Sequence, residues 1–339
     1  MEFNKKTLRK AVTLWLTNKL KAFVKYGDIN TWNTNNVTDM SYMFCDAEKF
    51  NCKIGDWDTS NVIDMSYMFC NACSFNQDIG NWNTSKVTDM SYMFCDAQKF
   101  NQDISEWNAI NVTDMKYMFC NARKFNRDIG SWYTSKVTDM NHMFYGAQKF
   151  NQDIGNWSTI NVNNMCHMFH DAMMFNQDIC NWSTMNVTNM EYMFIYARCF
   201  NQNICKWSTY NVTNMGHMFH NAIVFNQDIT IWNTSNVHNM ECMFHNAKSF
   251  NQDIRLMDLS SVVLKKSLID GTLLSSRLNG SKWTNEKAMN RLFPYSRRKH
   301  FLMFLIKCRY IPYKHNYTET TYHKIFSIED IYKSIMSYI

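Results

Sequence analysis

Cysteine recurs at Cys45, Cys70, Cys95 and Cys120, twenty-five residues apart, and Cys70 with Cys73 forms a C-x-x-C. Thiolates at paired spacings suggest zinc, but a closed zinc site needs four ligands converging on one tetrahedral point. Residues recurring at a fixed period are instead spread along an axis. Later positions of the column hold Tyr145, His170, Ile195, His220 and His245, and no second C-x-x-C accompanies the first. The column therefore reads as small, partly buried thiols. His142, His167 and His217 share a position that elsewhere holds Tyr42, Tyr67 or Cys242. A position open to all three types reads as packing, not as a catalytic base.

Two charged columns invite ligands. Asp78, Asp103, Asp128, Asp153, Asp178, Asp228 and Asp253 recur in register, and stacked carboxylates repel one another unless a cation or basic partner intervenes. Lys53 and Asn203 occupy the same slot, so local hydrogen bonding is the simpler reading. Lys49, Lys99, Lys124 and Lys149, with Arg123 alongside, line a second column that breaks at Ser74, Met174 and Val224. Nucleic-acid binding needs a basic field with exposed aromatics. The repeats are net acidic and their aromatics recur at core positions, which leaves only the basic tail for that role. No Ser-His-Asp set, H-E-x-x-H or glycine-rich phosphate loop is present. The expectation is a non-enzyme without cofactor or metal.

All these columns follow one period. Tryptophan stands at 32, 57, 82, 107, 132, 157, 182, 207 and 232, with valine five residues on in every copy. Methionine follows at eight and eleven, phenylalanine at twelve and eighteen, alanine at fifteen, and asparagine at nineteen. Nine copies run without insertion over about residues 32–256, and Met257 opens a decayed tenth. Such a period marks a solenoid whose units bury their apolar faces against each other. The Val, Met, Met-Phe and Ala positions lie three or four apart, which predicts a short helix capped by Thr38 or its equivalents, such as Asn163. The D-I-x-x-W remainder predicts a brief strand. Strands stacked in parallel at ~4.8 Å would give nine coils a length of roughly 45 Å. The expected fold is thus an α/β solenoid with helical caps at both ends.

Asn51, Asn76, Asn101, Asn126, Asn151, Asn176, Asn201, Asn226 and Asn251 need a separate reason. Asparagine tolerates left-handed backbone and bonds neighbouring backbone groups, so the column reads as a structural ladder at a repeated turn.

Charge divides the chain into three. Residues 1–30 carry seven Lys/Arg against two acids, residues 31–256 fourteen against twenty-one, and residues 257–339 fourteen against six. The expected domains are an N-terminal capping helix (1–30), the repeats (31–262) and a basic helical C-terminal cap or appended domain (263–339), the last with three short helices. Leu8, Val12, Trp15, Leu16, Leu20 and Phe23 form the capping stripe. Lys5, Lys6, Arg9, Lys10, Lys19 and Lys21 offer membrane-surface binding as the alternative. The apolar run F-L-M-F-L-I at 301–306 is too short to span a bilayer. No secretory signal is legible, and twelve cysteines without paired spacings argue for a reducing, intracellular setting.

The repeat, as in FNQDIGNWNTSKVTDMSYMFCDAQK at 75–99, resembles the BspA-like leucine-rich repeats, including the mycoplasma-type surface-protein repeat. LRKAVTLWLTNKLKAFVKYGDINTW at 8–32 resembles the segment that often precedes them. Together these cover roughly residues 5–262. The resemblance implies a leucine-rich-repeat-like solenoid used for protein binding, with many bacterial members at cell surfaces. Signal-less arrays of this kind occur in large DNA viruses and unicellular eukaryotes, and the tail is similar to giant-virus and algal versions.

The expected function is an intracellular, non-catalytic scaffold presenting its repeat surface to a protein partner. Residues three after each Trp vary from polar to apolar, and Ile160, Met185 and Tyr210 form the candidate docking patch. The alternative is a cell-surface or virion-associated adhesin or structural protein.

Overall fold

The computed structural model of the protein describes residues 2–254 and 257–277. Two helices open the chain, α1 (Lys5–Thr17) and α2 (Lys19–Tyr26), followed by a single 3₁₀ turn at Ile29–Thr31. Asn4 caps α1 in a reciprocal box with Thr7, and Asn18 ends α1 while its side chain caps Lys21 at the start of α2. Leu8, Ala11, Val12 and Trp15 of α1 are buried. Trp15 meets Trp32 of the first coil edge-on at 5.8 Å, and Phe3 lies 5.2 Å from the same indole. Lys5 pairs with Asp39, and the Arg9 guanidinium donates to the Ser41 carbonyl. A five-residue helix, α3 (Leu273–Arg277), follows the tenth coil. The three helices expected further along the tail lie outside the described residues.

Between these ends the strand and helix expected in each coil are absent: among the described residues there is no β-strand and no helix inside the repeats. Turns replace both. Within the first coil, the N–H groups of Met43, Cys45 and Ala47 each donate three residues back, to Met40, Tyr42 and Phe44, at 3.1–3.3 Å. The alternate residues Met40, Tyr42, Phe44 and Asp46 donate instead to Asp64, Ser66, Met68 and Cys70 of the next coil, at 2.8–2.9 Å. These four forward bonds recur at every junction as far as the tenth coil. An α-helix needs every N–H for its own i−4 carbonyl and every residue right-handed. Here half the donors are committed to the neighbour, and Tyr42 (φ 56°) and Asp46 (φ 61°) are left-handed. The apolar spacing of three and four thus reflects linked three-residue turns, not helix.

The expected strand fails for a related reason. The contact between coils that most resembles sheet pairing is a single-residue parallel bridge at Asp39↔Asp64, repeated down to Asn239↔Leu264. It sits seven residues after Trp, not in D-I-x-x-W, and turns on either side stop it from lengthening. The fold is therefore not a leucine-rich-repeat-like α/β solenoid, but a stack of turn-only coils.

The coils share one apolar interior. Met65, Met68, Phe69, Ala72 and Phe75 are wholly buried, as are their counterparts in the other interior coils. Phe rings stack from coil to coil at 5.5–5.8 Å along the Phe44 column. From Trp57 to Trp232, each indole N–H donates to the isoleucine carbonyl of the preceding coil at 2.8–3.2 Å. Buried threonines add a rung: Thr34 Oγ1 donates to the Asp58 carbonyl, and the same bond returns at Thr59, Thr84, Thr134, Thr159, Thr184, Thr209 and Thr234. Ala109 takes the remaining place in this column and carries no hydroxyl.

Candidate interaction surface

The candidate patch sits on tight turns. Val162 N–H donates to Thr159 O, Val187 N–H to Thr184 O and Val212 N–H to Thr209 O, which leaves Ile160, Met185 and Tyr210 at the turn corners. A corner residue points away from the coil, and all three side chains are exposed, Tyr210 at 60%. Their carbonyls are not free, because the Nδ2 groups of Asn186, Asn211 and Asn236 in the following coils bond them at 2.7 Å. The row therefore offers apolar side chains beside carbonyls that are already bonded. Ile110 is exposed at the equivalent corner, and Tyr133, one residue after Trp132, is exposed as well. The sequence signal for Tyr133 was its bulk in a column otherwise held by Asn, Asp or Ser.

The asparagine column lies on another side of each coil. Asn51 Oδ1 accepts the backbone N–H of Asn76 at 2.9 Å, and the same bond links each member to the next as far as Asn226 and Asn251. Glutamine side chains one residue on reinforce it, as Gln177 Nε2 does on Asn151. The series stops at Asn251, whose Oδ1 is buried without a partner. None of these asparagines is left-handed. That conformation belongs to the columns ten and fourteen residues after Trp. Asn, Asp and Gly dominate the second of these, as residues that tolerate positive φ.

The first left-handed column holds Tyr42, Tyr67, Tyr92, Tyr117, His142, His167, Tyr192 and His217, unusual types at φ 55–58°. Their rings stack nearly parallel at 4.1–4.6 Å. Sparsely populated backbone persists where its surroundings over-determine it, and this file of rings supplies such a constraint. Cys70, Cys95 and Cys120 are buried beside Tyr67, Tyr92 and Tyr117. Burial pushes the Cys45 thiol up to about 12, and hydrogen bonding to Cys95, with burial, raises Cys70 as well. Cys45 and Cys70 are therefore protonated, poorly nucleophilic thiols. The eleven cysteines among the described residues are free. No three His, Cys, Asp or Glu side chains among those residues gather where a metal could sit.

The aspartate column is occupied locally. Asp78, Asp103, Asp128, Asp153, Asp178 and Asp228 each accept the N–H two residues on, at 2.9–3.0 Å, and Asn203 does the same. That backbone bond holds the carboxyls of Asp103 and Asp178 below the usual range. Lys49, Lys99, Lys124, Lys149 and Arg123 are exposed. Among the described residues no helix is long and apolar enough to cross a membrane.

Stacked coils of fixed length, joined by recurring ladders, define a repeat protein. The chain belongs to the family described as Mycoplasma protein of unknown function, DUF285, which it matches over residues 15–132, 103–198 and 177–283. No curated protein and no solved structure matches it significantly.

Proposed function

We propose that the repeats form a non-catalytic scaffold that binds a protein partner inside the cell, and that they are kin to the BspA-like repeats. The row of Ile160, Met185 and Tyr210 carries this reading. Three consecutive coils each place one large apolar side chain in solvent, at a turn corner whose carbonyl is already bonded. Such a row presents apolar area at fixed intervals, as an interface core requires. The stacked ladders hold it rigid, which reduces the entropy lost on binding.

The test is affinity capture from reducing lysate with the full chain and with a variant combining Ile160→Ser, Met185→Ser and Tyr210→Ser. A protein retained by the first and lost by the second, with both chains melting alike, supports the scaffold and the patch. Retention by both chains removes the patch, and retention by neither removes the scaffold.

A further inference from the structure

The apolar stripe of the N-terminal helices divides at Asn18. Leu8, Ala11, Val12 and Trp15 are buried, whereas Leu16, Leu20, Phe23 and Val24 stand in solvent, Leu20 at 76% and Val24 at 80% exposure. Ala22 is the one buried residue of α2. The backbone of Asn18 is non-helical (φ −150°, ψ 82°), so α2 is a new helix, separately capped, and not a continuation of α1. Leu20, Phe23 and Val24 are three and four apart and share one face of α2. Leu16, at the end of α1, adds to the exposed apolar group. Lys19, Lys21 and Lys25 surround that face and are exposed. Lys19 Nζ lies 5.3 Å from the Trp15 ring and Lys25 Nζ 4.9 Å from the Tyr26 ring, so both stems run along aromatic surface while their charges remain in water.

We propose that α2 docks on the surface of an anionic bilayer. Leu20, Phe23 and Val24 enter the boundary between headgroups and acyl chains, and the three lysines meet the lipid phosphates. Charge separates this occupant from the others. Residues 278–339 carry eleven Lys/Arg against four acids, the same sign as the lysines of α2, and a second copy of α2 brings the same positive charge. An anionic bilayer offers negative charge and an apolar phase together. Each lysine held near such a surface raises partition roughly fivefold, so three exposed lysines and a short apolar face give reversible, salt-sensitive binding. This surface is separate from the Ile160 row and does not depend on it.

The experiment is co-sedimentation of the full chain with phosphatidylcholine vesicles, with and without phosphatidylserine at about one lipid in three. Expected are sedimentation with the anionic vesicles, weaker sedimentation in high salt, and little with the neutral ones. A variant carrying Leu20→Ser and Phe23→Ser should partition roughly tenfold less or lower still. A second variant, Lys21→Glu with Lys25→Glu, should also lose binding. All four positions are exposed, so both variants should melt like the parent. The proposal is overturned if the chain does not sediment, or if either variant sediments as well as the parent, which would assign binding to the basic tail. It is also overturned if the Leu20→Ser, Phe23→Ser variant elutes as a smaller species on size exclusion, since the face would then join two copies.

Discussion

Nδ1 of His167 lies 2.8 Å from Nδ1 of His170, with ring centroids 5.1 Å apart and ring planes within 14° of parallel. The rings meet edge to edge, so one nitrogen donates and the other accepts. His217 and His220 repeat the arrangement at 3.0 Å, 5.3 Å and 17°. Each pair accommodates one proton between its facing nitrogens, and a second would set two N–H groups against each other.

Acid should therefore loosen the later coils first. Burial holds the pKa of His167 and of His170 at about 4 in the folded chain, below the ordinary 6.5. Above the ordinary value both states are neutral and the full stability is present. As pH falls toward 4, the unfolded chain takes up protons that the folded chain refuses, so stability declines. With partial exposure discounted, each histidine should cost on the order of 1 kcal/mol, or about 2–4 °C in Tm. Thermal melts across this range should show that decline. His167→Tyr with His170→Cys, types already found in these columns, should make it shallower, with His142, His217 and His220, also held down by burial, carrying the remainder. An unchanged slope would remove His167 and His170 as its source.

The threonine rungs predict a stabilising substitution. Ala109 has Thr84 and Thr134 as its counterparts in the coils before and after, and both donate to the coil that follows them. Ala109→Thr should supply the missing bond to the Tyr133 carbonyl and raise unfolding free energy by about 1 kcal/mol. Urea denaturation would measure this, and a lower midpoint would show that the site has no room for the hydroxyl.

The asparagine column predicts a contrast between its middle and its end. Asn151 Oδ1 accepts from Asn176 N and Gln177 Nε2, so Asn151→Ala strands donors and should cost about 2 kcal/mol. Asn251 Oδ1 accepts nothing, so Asn251→Ala should cost under about 0.5 kcal/mol. Equal losses at the two positions would mean that the carbonyl oxygen is not what stabilises the column.

Thiol reactivity should follow burial. Cys95 is buried, with its pKa raised by hydrogen bonding to Cys120 and by burial, whereas Cys199 is exposed. Iodoacetamide at mild alkaline pH should alkylate Cys199 at least about tenfold faster than Cys95. Peptide mass spectrometry over time gives both rates, and similar rates would show that the thiol file opens readily.

Periodicity made the repeat legible in the sequence but not its backbone. Every Trp, Val, Met and Phe column marks the interior because identical positions must pack on identical positions. Met40, Met43, Phe44 and Ala47 looked helical because a chain of three-residue turns returns side chains to one side about as often as a helix does. What separates the two is the destination of alternate N–H groups, which composition does not encode. Tyr42 and its column hid the left-handed backbone, since tyrosine is a poor marker of positive φ. Asn18 was a readable break within an apolar stripe, yet periodicity alone carried that stripe through it to Phe23. The exposed corners at Ile160, Met185 and Tyr210 stood out because apolar residues interrupted a column that began with Asn and Ser.

Met40, Tyr42, Phe44 and Asp46 bond forward to partners twenty-four residues on, and Asn76 bonds back to one twenty-five residues earlier. Ownership of these bonds is thus divided between neighbours, which gives the array a quantum of length. Removing a whole repeat from the middle rejoins equivalent donors and acceptors, whereas removing one residue shortens one coil and puts the bonds that cross the gap out of register. A copy gained or lost before Ile160 would shift Ile160, Met185 and Tyr210 by one whole coil while keeping them on the same side.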